Sequence, residues 1–255
     1  MTLVAGLLAL LTGLAYTGLA IVTVSEMVHQ RERGFSQFGA AFFVMASTCG
    51  PHHLLHAYRH LVTGEVAHGP HVAALALGVV PAVTFVGLRL EAAFGGRGDR
   101  LIVRTPIWLQ VLPVLMAAAA GATLWDGLHH ASAHGVDLRA LVPNVFLFVA
   151  YTLVGIFTAR TQIARRPLLG GWSLSGLAMS GVFLTCAGSH LLAGMMTQAD
   201  AWSIALDNLG VPASIFFLWT VHRLHKGSVR DWNRRPLVGR PAPQGRRSPW
   251  AEQTT

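Results

Sequence analysis

The sequence predicts an all-α integral membrane protein with seven transmembrane helices: two parallel three-helix repeats joined by a linking helix. Three observations carry this. Only 12% of the 255 residues are charged and 53% are hydrophobic, against roughly 25% charged in an average soluble domain. Seven stretches reach the about 20 apolar residues that a helix needs to cross a bilayer. Two phrases also recur, in order, in the two halves of the chain.

The spans run near Thr2–Val24, Phe38–Val62, Val72–Phe94, Ile107–Leu128, Ala140–Arg160, Trp172–Met196 and Ala201–Leu224. The first has neither a basic n-region nor a small-residue cleavage site, so it reads as a retained span, not a signal peptide. Arg31 and Arg33 follow span one, Arg97, Arg100 and Arg104 span three, and Arg160, Arg165 and Arg166 span five. The tail after span seven is more basic still. Positive-inside bias then sets the N-terminus outside and the C-terminus in the cytoplasm, and the expected location is a bacterial cytoplasmic (inner) membrane. The net charge of +8 is accounted for by topology, so no nucleic-acid partner is expected. Trp108, Trp125, Trp172, Trp202 and Trp219 lie near span ends and read as interfacial anchors.

Ala15-Tyr16-Thr17-x-x-x-Ile21-x-Thr23 returns as Ala150-Tyr151-Thr152-x-x-x-Ile156-x-Thr158, and Thr48-Cys49-x-x-x-His53-Leu54-Leu55 returns as Thr185-Cys186-x-x-x-His190-Leu191-Leu192. Leu77-Gly78-Val79-Val80-Pro81-Ala82 is echoed by Leu209-Gly210-Val211-Pro212-Ala213. A three-span unit ends on the side opposite its start. Joining two units in the same orientation therefore takes one more crossing, which span four supplies. The expected divisions are residues 1–96 for the first repeat, 97–138 for the linking helix and its loops, 139–226 for the second repeat, and 227–255 for a basic disordered tail. Gly13, Gly18, Gly155, Gly176 and Gly181 are expected to let helices approach closely.

Residues four apart share a helix face, so Cys49 and His53 form one ligand pair and Cys186 and His190 another. Sulfur with imidazole suits Cu(I) or Zn(II), and in a dry, oxygen-poor setting copper. The plainer alternative makes each cysteine a small buried hydrophobe and each histidine an interhelical hydrogen-bonder. Two cysteines at membrane depth in separate repeats make a poor disulfide framework.

Gln37-Phe38-Gly39-Ala40, then Cys49-Gly50-x-x-His53-Leu54, with Leu14-Ala15-Tyr16 on the preceding helix, resembles the transmembrane ethylene-binding domain of ethylene receptors. That resemblance implies a three-span unit acting in pairs, with Cu(I) held by Cys49 and His53 and again by Cys186 and His190. It also implies Tyr16 and Tyr151 beside the site, and a small neutral ligand, an alkene or a diatomic gas, on the metal. An aspartate that the family carries two turns before the tyrosine is Ala9 in one copy and Asn144 in the other. Asn144 is accordingly grouped with the two tyrosines as a residue beside the site. With only a short tail after span seven, a separate signalling or redox partner protein is expected to carry the output.

Cys49, His53, His56 and His60 fall at i, i+4, i+7 and i+11 and form a stripe toward the outer surface, while His52 points elsewhere. His68, His71, His129, His130 and His134 crowd the same end. Read from the residues, His56 and His60 are further metal ligands in a relay or a second copper site, or the stripe serves a haem b through His53 and His190, or these are unrelated solvated histidines. Asp207, with Asn208, enters span seven with no counterpart in the first repeat, either completing one site asymmetrically or marking the interfacial end of the helix. No nucleophile–base–acid set, phosphate loop or pair of buried carboxylates points to catalysis. The function expected is Cu(I) and small-ligand binding for sensing, with a membrane copper or haem oxidoreductase and copper handling as the alternatives.

Overall fold

A computed structural model describes residues 1–29, 36–196 and 200–230. Within these, helices α1 (Thr2–His29), α2 (Gln37–Tyr58), α3 (Gly69–Ala93), α4 (Ile107–His134), α5 (Leu138–Leu169), α6 (Leu174–Met196) and α7 (Ala201–Arg230) account for most of the chain. A short π-helical segment, Arg59–Thr63, extends α2. Two residue pairs, β1 (Leu101–Ile102) and β2 (Trp172–Ser173), form an antiparallel ladder. Arg31, Arg33, Thr197 and the basic tail beyond Arg230 lie outside the described residues.

Among the described residues, six helices are long and apolar enough to cross a membrane: all but α2. The protein is therefore a helical, multi-pass membrane protein, and its many outward-facing apolar side chains suit contact with lipid. α2 is shorter, 22 residues, and carries Pro51 with His52, His53 and His56 in its second half. Its helical hydrogen bonding changes register at Tyr58, before the sequence-based end at Val62. Span six likewise begins at Leu174. Trp172 and Ser173, which hydropathy alone assigns to the span, pair instead with the segment after α3. Asp99 holds that junction: it accepts from the Ser173 hydroxyl at 2.6 Å and the Ser175 amide at 2.9 Å.

Local chemistry sets the helix starts and stops. Ser36 caps α2 by accepting from the Gly39 amide, and Asp137 caps α5 by accepting from the Arg139 amide, each satisfying an orphan N–H of a first turn. α5 ends at Gly170 in the left-handed region, φ 70°, where glycine carries no Cβ penalty. Buried Thr12, Thr123 and Thr158 return their hydroxyls to the carbonyl one turn back, so none is left unsatisfied in an apolar setting.

Packing repeats itself in the two halves. α1 lies against α2 and α3, and α5 lies against α6 and α7; the halves meet through α3 on α6 and α2 on α7. Equivalent helices thus make equivalent contacts about a pseudo-twofold axis, and one continuous core runs across it through Tyr16, Met45, Tyr151, Phe183 and Phe217. α4 sits outside this arrangement, against α6 and α3, with Thr123 and Gly127 its buried residues.

Close approach is set at particular glycines. A Cβ on Gly13 would lie 2.9 Å from the Leu54 amide nitrogen, and one on Gly50 would lie 2.6 Å from Thr17 Oγ1. Gly18 meets nothing within 4 Å, so it is not a packing glycine as its composition suggested. Buried Arg59 donates to Asp200 and, at 2.7 Å, to Ser203 Oγ, tying the end of α2 to the start of α7.

Two outcomes follow. Gly13→Ala will lower stability in detergent by about 1–3 kcal/mol, the usual range for forced overpacking, while Gly18→Ala leaves the melting temperature unchanged. Burial pushes the Asp200 carboxyl up, but the Ser203 amide and the Arg59 guanidinium outweigh it and hold the group below its ordinary value. The stability this tie supplies is fully present above the unfolded carboxyl value of about 3.9 and is lost as pH falls through the lower folded value. A melting series across that acidic window will show the decline, and Asp200→Asn will flatten it.

Candidate metal centre

Side chains of α2 and α6, with those of α1 and α5, converge near the axis between the halves. Cys49 Sγ lies 2.9 Å from Tyr151 Oη, and Cys49 lines one small cavity with Tyr151 and His190. The mirrored set pairs Cys186 Sγ with His53 Nε2 at 3.8 Å, in a cavity shared with Tyr16, whose ring stacks on His53 at a centroid distance of 5.6 Å. Each cysteine therefore partners the histidine and tyrosine of the other repeat, whereas the spacing along a single helix pairs Cys49 with His53 and Cys186 with His190. The reason is geometric. The i, i+4 face of each helix turns toward the axis, and across the axis the facing helix supplies the nearest imidazole. Cys49, His53, Cys186 and His190 are all buried, at 5% exposure or less.

The donor set can hold a soft ion. Metal–sulfur and metal–nitrogen distances of about 2.3 and 2.0 Å put the two donors roughly 3.5 Å apart at a tetrahedral angle and about 4.3 Å apart on a line. The 3.8 Å between Cys186 and His53 falls between these limits.

Two small cavities flank the centre, each about 10 Å³, room for about one water-sized molecule. They are mates under the repeat. One is lined by Tyr16, His53, Cys186, Thr185 and Gly78; the other by the equivalent Tyr151, His190, Cys49, Thr48 and Gly210. Of the remaining paired positions, Thr12 is matched by Leu147 and Ala74 by Leu206, and two others gain ionisable groups. Where the first cavity has Leu75 and Ser189, the second has Asp207 and His52.

Those two residues correct the sequence reading. His52, assigned away from the stripe, is buried at 6% exposure, and Asp207 at 3%, so Asp207 does not mark an interfacial helix end. Asn144 Nδ2 donates to Asp207 Oδ2 at 2.7 Å and Asn144 Oδ1 accepts from His190 Nδ1 at 2.7 Å. Asn144 thus orients His190 and leaves its Nε2 with the lone pair. His52 Nδ1 faces Asp207 Oδ1 at 3.0 Å. The outer histidines continue from His52, not His53: His56 Nε2 lies 3.1 Å from His52 Nε2, and the His56, His60 and His71 rings pack at 5.6–6.4 Å. His60 is anchored by Nδ1 on the Glu65 carbonyl at 2.9 Å, on the π-helical turn that extends α2. The absence of an Asp207 counterpart was the one sequence signal that could have found this cluster. His52 had none, because its helical angle is shared by many lipid-facing residues.

A larger cavity, about 410 Å³, opens at the opposite end of the bundle and is lined by Thr23, Gln162, Asp99 and the Glu26–Arg89 ion pair, among others. It is well removed from the cysteines.

Compared with protein-family models, curated proteins and solved structures, the chain matches none.

Proposed function

We propose that this chain is a seven-span membrane protein that binds Cu(I) between its two repeats, with Cys49, Cys186, His53 and His190 as the donors. The observation that carries the reading is the convergence of both thiols and both imidazoles on one axis, with cysteine and histidine exchanged between halves. Thiolate and imidazole favour a d¹⁰ soft ion over hard cations. Tyr16 and Tyr151 sit against the sulfurs and orient them. α2, surrounded by α1 and α7 and carrying the donors, serves as the seventh crossing; its polarity is what a helix bearing a buried site requires.

The cavities beside the thiols favour a small neutral ligand on the metal, and their size fits a diatomic gas better than an alkene. They leave no space for a porphyrin, which favours an ion over haem b. The likeness to the ethylene-binding domain supports the same donors and the paired three-helix plan. Output passes to a separate partner protein through the cytoplasmic loops.

The test is copper titration of the full chain in detergent under reducing conditions. One Cu(I) per chain is expected, with affinity lowered at least about 100-fold in Cys49→Ser and in Cys186→Ser, beyond the 10–100-fold typical of residues that merely support a ligand. Carbon monoxide should give a Cu(I)–carbonyl infrared band that both variants abolish. Copper binding that survives the double variant would overturn the assignment.

A further inference from the structure

The two cavities form an internal comparison, because the same backbone frame holds different side chains. Around Cys186, two positions beyond the shared Tyr, His and Cys are Ser189 and Leu75; around Cys49 their equivalents are His52 and Asp207. Asn144, at the place Ala9 takes in the first repeat, lines an adjoining cavity with the same two residues. Two ionisable groups thus stand in one cavity where its mate has a serine and a leucine, at a depth where each is costly unless it has a use.

Their arrangement is not that of a settled hydrogen-bond network. His52, His190 and Asp207 bring ligand atoms within 4.8 Å of one another, all buried. His52 Nδ1 and Asp207 Oδ1 stand 3.0 Å apart, yet neither has a hydrogen-bond partner. The approach is close enough for a bond, but the geometry does not align donor with lone pair. Two lone pairs converging on a common third point give that geometry. Asn144 supplies the outer support, holding Asp207 Oδ2 and His190 Nδ1, as the second layer of a metal site does.

We propose that His52, His190 and Asp207 form a second metal site, distinct in chemistry from the thiol centre, that takes a borderline divalent ion of the Zn(II) class. Two imidazoles and one carboxylate are a three-residue set that such ions accept, leaving a further position open. Donors in that shell sit about 3–3.5 Å apart. The His52–Asp207 separation matches, and His190 Nδ1, 3.9 Å from Asp207 Oδ1, needs to close by a few tenths of an ångström. His190 must also turn from Asn144, to which its Nδ1 donates, or present its other nitrogen. His56, 3.1 Å from His52, is the next group outward and marks the side from which the ion arrives. The inference stands apart from the Cu(I) reading except that His190 serves both.

Co(II) is the probe, titrated into the full chain in detergent after chelator treatment. Expected is one Co(II) per chain with visible ligand-field absorption and no thiolate charge-transfer band, unchanged in Cys49→Ser/Cys186→Ser. Asp207→Leu/His52→Ser, which writes the other cavity's residues into this one, should weaken Co(II) at least about 100-fold and leave Cu(I) titration intact. Asn144→Ala should weaken Co(II) by about 10–100-fold. Elution and melting profiles check each fold, with Asp207→Asn replacing Asp207→Leu if the latter does not fold. The site is overturned if Co(II) does not bind, if its spectrum carries a thiolate band lost with the cysteines, or if Asp207→Leu/His52→Ser leaves it unchanged. Failure of Cu(I) binding alone would strike the thiol centre and not this one.

Discussion

A polar side chain in the middle of an apolar helical bundle has no water to turn to, and its partners must come from the protein itself. That constraint organises this molecule. Cys49, His53, Cys186, His190, Tyr16, Tyr151, Asn144, His52 and Asp207 are spread over α1, α2, α5, α6 and α7, and each meets a side chain of another helix. Helix packing and site assembly are therefore one event: the contacts of α2 with α7 and of α3 with α6 close the core and bring the two cysteine-bearing helices together. Close-approach glycines such as Gly13 and Gly50 fix how near α1 can come to α2, and with it the position of Tyr16 against His53.

Around the axis the two halves share a backbone plan and have specialised their side chains. Near the thiols the symmetry holds for tyrosine, histidine, cysteine, threonine and glycine. One turn farther out it fails, and it fails in the direction of greater polarity on one side. The end of α2 follows suit: His56 extends the polar lining beyond His52 and His60 follows it, where the sequence of the other repeat reads Ala193 and Thr197.

How much of this the sequence shows depends on the kind of signal. Helix number, the recurring tyrosine and cysteine–histidine phrases, and burial of both pairs are written in local pattern and period, so they can be read directly. Pairing across the axis cannot, because spacing on one helix fixes which face a residue shares but not what confronts that face. His52 was lost for this reason, and Asp207 was half-recognised only through its missing counterpart. Hydropathy also misplaced the ends of two elements. Trp172 and Ser173 are apolar enough to extend a span, but Asp99 and the β1–β2 ladder take them. The turn from Arg59 changes helix type because Arg59 and His60 both have inward partners to meet.

The peripheral position of α4 has a consequence for what the other six helices were free to become. In a dimer of identical three-helix chains, any residue placed beside the axis is placed twice, and a carboxylate at the Asp207 position would oppose its own copy across a low-dielectric interior, where like charges repel strongly. Tethering the halves through a helix that contributes little to the core removes that duplication. A single negative charge can then be introduced on one side of the axis, and a lone acidic group becomes compatible with a folded, lipid-embedded pair.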